Sequence, residues 1–141
     1  MSIFKAYDIR GIYGQDLDEA IFEKIARAYA KFAGVKKVVV ARDCRKSSDS
    51  LFAAFTKGLT DVGVDVIDIG LASTPMSYFA NGTLKADGSV MITASHNTKE
   101  WNGCKLCKAN AADSAMPMPL AKSIATWSGR ARWANFATWA A

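Results

Sequence analysis

The sequence predicts an α/β domain of three layers, in which helices cover both faces of a mainly parallel central sheet. Short runs rich in β-branched residues, at 38–41, 64–69 and 88–93, are typical of buried strands. Segments with apolar residues at helical spacing lie between them, so the elements alternate as in βαβ units. With 141 residues, of which 50% are hydrophobic, the chain is long enough for the core of one domain.

The first predicted helix follows Asp18, which is placed to cap it, and ends at Gly34. Its apolar residues recur at helical spacing and predict one buried face: Ile21, Phe22, Ile25, Tyr29 and Phe32. The strand at 38–41 comes next and shows no polar alternation, which favours a strand covered on both sides.

A second helix is predicted to begin at Ser47 or Ser48, either of which can cap it, and to end at Gly63 before the strand at 64–69. Its apolar stripe is Leu51, Phe55, Leu59 and Val62. Thr74 and Pro75 are typical of a third helix start, and this helix is expected to run to about residue 84 before the strand at 88–93.

Residues 93–105 form the most informative segment, Thr-Ala-Ser-His-Asn-Thr-Lys-Glu-Trp-Asn-Gly-Cys-Lys. This run leaves the third predicted strand at its carboxyl end, where α/β sheets collect their ligands. Arg42 and Asp43 leave the strand at 38–41 at the same edge. The topology therefore predicts that two polar loops meet beside one exposed serine, Ser95.

Residues 93–105 resemble the active-site loop of the α-D-phosphohexomutases, the phosphomannomutase and phosphoglucomutase family, whose pattern reads T-A-S-H-N-P-x-x-x-N-G-x-K. A second motif of that family, Tyr-Asp-Ile-Arg-Gly, stands at 7–11. The resemblance implies an isomerase that moves a phosphoryl group between the 1- and 6-positions of hexose phosphates through a phosphorylated Ser95. Thr98 replaces the usual proline and Cys104 the usual aromatic residue, and neither change removes a reacting group.

The resemblance also implies roles for other residues. Lys105 is expected to do general acid/base work, and Gly103 is expected to let the chain turn so that the ammonium returns to the loop. His96 is expected to contact phosphate or substrate, with a loop-stabilising role as the alternative. The remaining predicted substrate- and phosphate-binding residues are Tyr7, Arg10, Asn97 and Arg42, and for Arg10 the alternative is a salt bridge to Asp8.

The sequence disfavours two other chemistries, those of a serine hydrolase and of a zinc or disulfide site. A serine hydrolase is disfavoured because the adjacent Ser95 and His96 diverge along the backbone and no Gly-x-Ser-x-Gly elbow is present. A zinc or disulfide site at Cys104 and Cys107 is disfavoured because residues three apart on an extended strand face opposite sides. The expected alternative for these two cysteines is a buried, small apolar side chain. Three cysteines, an odd number, favour a reducing compartment.

The resembling enzymes need Mg²⁺, which a second domain holds with an Asp-Gly-Asp-Gly-Asp loop, and a hexose bisphosphate as intermediate and activator. After Ser95 the only acids here are Glu100 and Asp113, so Ser95, through its phosphate, is the one metal contact predicted in this chain. The expected partners are hexose phosphates and the missing domains of the same enzyme. The chain alone is expected to be inactive and to self-associate through its exposed interdomain face.

Two alternatives to this function remain open. One is a phosphoglucosamine mutase-type enzyme, and the other is a catalytically idle domain that binds phosphate or a partner chain.

The domain-I resemblance covers residues 1–108. Residues 109–141 hold eleven alanines and three of the four tryptophans without a helical or strand period, and we interpret them as a non-native or frameshifted end. The net charge of +5 is scattered, which disfavours nucleic acid, and no run of about 18 apolar residues predicts a membrane span. The expected location is the cytoplasm.

Overall fold

A computed structural model describes residues 3–5 and 8–109. These residues form eight elements in chain order: β1 (Ile9–Ile12), α1 (Glu19–Ala33), β2 (Lys37–Arg42), α2 (Ser48–Thr60), β3 (Asp65–Leu71), α3 (Thr74–Thr83), β4 (Gly88–Ile92) and β5 (Trp101–Lys108). The predicted α/β class and its three helices are confirmed. None of the helices in this part of the chain has both the length and the apolar character needed to cross a membrane.

The sheet is mixed rather than simply parallel, with strand order β1-β5-β4-β2-β3. β2 runs parallel to β3 and β4, whereas β5 runs antiparallel to β4 and β1. Four strands thus point the same way and β5 alone is reversed. The reversal follows from the short connection at 93–100, because a parallel return would need a crossover of a dozen residues or more. Strand β1 was not predicted from the sequence.

Alternate residues of β2 face the two sides of the sheet. Val38 and Val40 join the core with α1 and α2, where the Phe22 and Phe55 rings meet edge to face at 6.1 Å. Val39 is equally buried but lies outside that cluster, on the side where α3 contacts β2 and β4. The three-layer arrangement follows, and the strand is covered on both faces as predicted.

Both predicted ends of α1 are confirmed. The Asp18 carboxylate accepts the Ile21 N–H at 2.8 Å, and Gly34 takes the left-handed conformation with φ 65° and donates to the Ala30 carbonyl. The expected burial of Phe32 is wrong, since 46% of it is exposed. Ala26 and Ala30, at steps of four from Phe22, complete the buried stripe instead.

The structure confirms one of the two predicted cap positions of α2 and corrects the predicted cap of α3. Ser47 holds the cap position of α2, but its side chain makes no capping hydrogen bond and instead contacts Asn102. Ser73, not Thr74, holds the cap position of α3. Val62, predicted in the apolar stripe of α2, lies beyond the end of the helix and is exposed.

The turn predicted at Gly103 is wrong. It lies inside β5, opposite Arg10 of β1, and a Cβ built on it would stand 1.9 Å from the Ile9 carbonyl oxygen. Only a glycine therefore allows β1 to pair with β5 here. This pairing places Arg10 beside the serine loop.

Candidate active site

A cleft of about 810 Å³ opens at the carboxyl ends of β2 and β4, as the topology predicts. Its lining comes from the loop after β2, the start of α3, strand β4 and the serine loop that follows β4. The lining residues are Asp43, Cys44, Arg45, Lys46, Ala72, Ser73, Thr74, Met91, Thr93, Ser95, Asn97, Lys99 and Glu100. Two of the predicted site residues, Ser95 and Asn97, are among them.

Ser95 is exposed and adopts the left-handed conformation, with φ 56°. Its backbone N–H donates to the Thr93 hydroxyl at 2.9 Å. Its own hydroxyl lies 3.1 Å from Nδ1 of His96, so the expected divergence of these neighbours is wrong. The left-handed turn at Ser95 explains why adjacent side chains meet. No carboxylate in the described ranges hydrogen-bonds His96, so a hydrolase triad is not assembled there.

Arg45 was missed as a site residue by the sequence analysis, yet it makes the most contacts with the serine loop. Its Nη1 donates to the carbonyls of Thr98 at 2.6 Å and Trp101 at 3.1 Å. Its Nη2 donates to those of Asn97 at 2.7 Å and Ser95 at 3.1 Å. The signal available in the sequence was the basic cluster at 42–46, of which only Arg42 was chosen.

Asp43 links Arg45 to the start of α2. Its carboxylate accepts hydrogen bonds from Arg45 Nε at 3.1 Å, from the Arg45 N–H at 3.1 Å and from the Ser48 hydroxyl at 2.6 Å. Burial by itself would raise the pKa of Asp43, but the hydrogen bonds from Ser48, Thr93 and Arg45 outweigh it and hold the pKa below its usual range. Asp43 is therefore a fixed negative charge at the back of the cleft.

Asn102, the asparagine of the Asn-Gly pair, extends this network into β5. It is fully buried, and its Nδ2 donates to the hydroxyls of Ser47 at 2.8 Å and Ser48 at 3.0 Å. Its Oδ1 accepts the Gly103 N–H at 2.8 Å. The end of the serine loop is thereby joined to the first turn of α2.

Arg10 is buried, and its guanidinium holds Asp8 through Nε at 2.9 Å and Nη2 at 2.8 Å. Its Nη1 donates to the Thr93 carbonyl at 2.5 Å, two residues before Ser95. The alternative predicted for Arg10, a salt bridge to Asp8, is thus present. Arg10 also contacts the serine loop, beside which it was predicted to bind phosphate. Tyr7 lies outside the described residues.

The structure does not bring Arg42 into the cleft. Its guanidinium pairs with Asp49 at 2.6 Å and Asp68 at 3.1 Å, and it stacks on the Phe52 ring at 4.3 Å. Arg42 shares the alternation of Val38 and Val40, so it faces α2.

Lys105 also does not line the cleft, and it lies in β5 without a turn that returns it to the loop. It is half-buried and pairs with Met91 of β4, which does line the cleft, so the two residues share one face of the sheet.

Cys104 and Cys107 lie in strand β5, which confirms the extended conformation expected for this segment, and both are free and buried. Burial raises the pKa of both the Cys104 and the Cys107 thiol, so neither is poised as a thiolate. Cys44, by contrast, is an exposed thiol at the cleft.

The cleft carries more positive than negative charge, since Arg45, Lys46 and Lys99 line it together with Asp43 and Glu100. Lys46 and Lys99 are exposed there, and the start of α3 presents its N-terminal end, where backbone N–H groups favour an anion. Residues 3–5 and 8–109 contain no group of three His, Cys, Asp or Glu side chains placed to hold a metal. The described residues thus suit an anion and do not by themselves fit Mg²⁺, which takes about six oxygen ligands.

The comparisons with known proteins agree with this geometry. The family model for the phosphoglucomutase/phosphomannomutase alpha/beta/alpha domain I matches residues 1–126. A crystal structure of a phosphoglucomutase/phosphomannomutase family protein from Burkholderia thailandensis gives a TM-score of 0.72 at 39% identity, over 77% of this chain and 26% of that chain.

Three curated relatives show how much of a longer protein the chain spans. A phosphomannomutase of Klebsiella pneumoniae is 49% identical over 79% of this chain and 71% of its own length. A phosphomannomutase of Escherichia coli is 49% identical over 79% of this chain and 24% of its length. A probable phosphoglucosamine mutase of Thermococcus kodakarensis is 43% identical over 76% of this chain and 24% of its length. The chain thus spans about a quarter of the latter two proteins.

Fold, serine loop and family match together define an α/β/α domain of the phosphohexomutase kind. The chain belongs to the phosphoglucomutase/phosphomannomutase family, in which it corresponds to domain I. The matched range extends beyond Lys108, and the domain boundary placed at that residue stays a prediction.

Proposed function

We propose that this chain is the nucleophile-bearing domain of a phosphohexomutase, and that Ser95 carries the phosphoryl group. The observation that carries the proposal is the exposed Ser95 hydroxyl, held in a left-handed turn at a cleft that carries more positive than negative charge. A nucleophile must project from the backbone, and a transferring phosphoryl group needs surrounding cations and N–H donors. The cleft meets both requirements.

In the proposed reaction, phosphorylated Ser95 gives its phosphoryl group to a hydroxyl of a hexose phosphate. The bond between phosphorus and the serine Oγ breaks, a bond to the sugar oxygen forms, and the proton of the sugar hydroxyl ends on the leaving serine oxygen. The resulting bisphosphate returns its other phosphoryl group to Ser95, so that the phosphate has moved between the 1- and 6-positions. His96, whose Nδ1 lies 3.1 Å from the Ser95 hydroxyl, is placed to hydrogen-bond that oxygen as the bond breaks.

Lys105 is proposed as the general acid/base of this transfer. Its support is the family motif and its position on the cleft side of the sheet, opposite Met91. Asn97, which lines the cleft, is a proposed phosphate-binding residue. Arg10 and Tyr7 are proposed for the same role on the family motif alone, since the Arg10 guanidinium is buried and already bonded to Asp8 and to the Thr93 carbonyl. For Arg42, the carboxylates already paired with its guanidinium argue against a direct phosphate contact in this domain.

The rest of the site is proposed to come from outside this chain. Mg²⁺ would be held by carboxylates of another domain, touching this one only through the phosphate on Ser95, and it would neutralise charge on the transferring group. Hexose phosphates, a hexose bisphosphate activator and the missing domains are the proposed partners, in the cytoplasm.

The domain is proposed to end at Lys108, and residues 109–141 are proposed to be a non-native end.

The isolated chain is proposed to self-associate. The exposed apolar side chains of Leu71, Met76 and Phe79 support this proposal.

A phosphoglucosamine mutase-type activity is the second candidate, favoured by the 43% identity to the Thermococcus kodakarensis relative. The same chemistry at Ser95 serves both candidates, because they differ in the sugar and not in the phosphoryl transfer. Assays with mannose phosphate and with glucosamine phosphate separate them when they are run on the complete enzyme that contains this domain, because the rest of the substrate site is proposed to lie outside this chain.

The experiment is a domain graft. Residues 1–108 of this chain replace the matching segment of the Escherichia coli phosphomannomutase, and conversion of hexose 1-phosphate to 6-phosphate is measured with Mg²⁺ and a sugar bisphosphate. We expect turnover that Ser95→Ala reduces by several orders of magnitude. Ser50→Ala, which changes a half-buried serine outside the cleft, serves as the control. A folded graft without turnover favours the idle domain, and Ser95-independent turnover refutes the assignment of Ser95.

A further inference from the structure

We propose that Arg45 is a positioning residue that sets the conformation of the serine loop and does not itself bind the phosphoryl group. We use the word clamp for the Arg45 guanidinium together with the four loop carbonyls that it binds, those of Ser95, Asn97, Thr98 and Trp101. The geometry of the clamp does not depend on the reaction, whereas its consequence for phosphoryl transfer rests on the function proposed above.

The hydrogen bonds of Arg45 account for its whole guanidinium. An arginine side chain has five N–H donors in a fixed planar fork. Nε donates to Asp43, Nη1 to two carbonyl oxygens and Nη2 to two more. All five donors therefore have acceptors in the described structure, and the side chain is only 14% exposed. An anion would have to displace a carbonyl oxygen to reach this group.

The four carbonyl acceptors span the serine loop from Ser95 to Trp101. Carbonyl oxygens directed at a common point repel one another unless a cation lies between them, and the Arg45 guanidinium provides that charge. Asp43 in turn neutralises the guanidinium on its other side. The loop is thus folded around a paired charge, which Ser48 and Asn102 tie to α2 and β5.

This arrangement also sets where the loop amides point. In a trans peptide the N–H lies opposite the C=O, so carbonyls of 95, 97 and 98 directed at Arg45 turn the next N–H groups away from it. Those N–H groups belong to His96, Thr98 and Lys99, and within residues 8–109 none of them donates a hydrogen bond. Arg45 would then assist anion binding indirectly, by leaving backbone donors free beside Ser95.

Amide hydrogen exchange on the full 141-residue chain tests the clamp. Two loop-internal bonds report on it, from the Asn97 N–H to the Ala94 carbonyl and from the Trp101 N–H to the Thr98 carbonyl. In Arg45→Ala we expect these two amides to exchange at least about tenfold faster, while α1 and α2 keep their protection. The single histidine provides a second readout, because its imidazole NMR signals should shift when the loop moves.

Arg42→Ala is the matched control. Arg42 is also an arginine in the cluster at 42–46, its side chain is 20% exposed, and it holds two carboxylates without contacting the loop. Its removal should leave the two loop amides and the imidazole signals unchanged. Equal acceleration in Arg42→Ala and Arg45→Ala would overturn the proposal, because it would show general loosening.

Arg45→Lys keeps the charge but offers three donors from one point, so it should protect the loop only partly. If Arg45→Ala does not fold, this variant decides: wild-type protection of both loop amides in Arg45→Lys would overturn the proposal. None of these measurements depends on phosphoryl transfer, so an inactive domain graft and a failed clamp are separate results.

Discussion

Asn102→Ala should destabilise the domain strongly, because Asn102 joins three elements while fully buried. The substitution removes two hydrogen bonds to the serine hydroxyls at the start of α2, at 2.8 and 3.0 Å. It also leaves the Gly103 N–H, now bonded to Oδ1 at 2.8 Å, without its acceptor. A buried donor left unpaired costs about 1–3 kcal/mol and each neutral hydrogen bond contributes about 1 kcal/mol, so we expect a loss of about 3 kcal/mol.

Urea unfolding followed by circular dichroism measures this loss, and thermal unfolding gives a second value. For a domain of this size each kcal/mol lowers Tm by about 4 °C, so the expected shift is about 12 °C. Asn97→Ala is the control, since Asn97 is an exposed asparagine of the same loop. A loss in Asn102→Ala no larger than in Asn97→Ala would refute the idea that this side chain joins β5 to α2.

Three further predictions concern the same region. Gly103→Ala should free β1 from the sheet, because the alanine Cβ would lie 1.9 Å from the Ile9 carbonyl oxygen. Faster hydrogen exchange of the β1 amides is expected. Gly82→Ala is the control, because the space around Gly82 is open. Asp43→Asn should flatten the acid side of the profile of stability against pH. Because folding lowers the pKa of Asp43, its charged carboxylate stabilises the domain above the usual aspartate pKa of about 4, and this stability is lost as the pH falls through the lowered pKa. An unchanged slope of unfolding free energy between about pH 3 and pH 5 would contradict this. Ser95→Gly should unfold at a higher urea concentration than Ser95→Ala, because only glycine takes φ 56° without strain, and the reverse order would exclude strain there.

Local features were predictable because their physics is local. Asp18 and Gly34 mark the ends of α1 through hydrogen bonds and a backbone angle within a few residues. The order of the strands depends instead on contacts between distant residues. The reversal of β5 follows from the length of one loop, a signal that was present, whereas the pairing of β1 with β5 depends on a close approach at Gly103 that no local pattern reveals.

The site shows the same division. Ser95 could be predicted from its motif, and the structure places it exposed at the cleft. The choice between the two arginines near β2 required knowing which face each one takes. Arg42 continues the alternation of Val38 and Val40 toward α2, and that period-two pattern was available in the sequence. The contacts of Arg45 could not be predicted from the sequence, because its partners lie about fifty residues away along the chain.

The residues of the serine loop therefore divide into two groups with different physical tasks. Ser95 and His96 are exposed and make few contacts, which suits groups that must meet a substrate and change bonding partners. Asn102 and Gly103 are buried and make contacts that only an amide and a missing side chain allow. An exposed left-handed serine is stable only if the surrounding structure holds it, so we expect the buried pair and Arg45 to maintain the geometry in which Ser95 is proposed to act. Substitutions in the second group should consequently lower stability and loop order together, whereas those in the first should change chemistry and leave the fold intact.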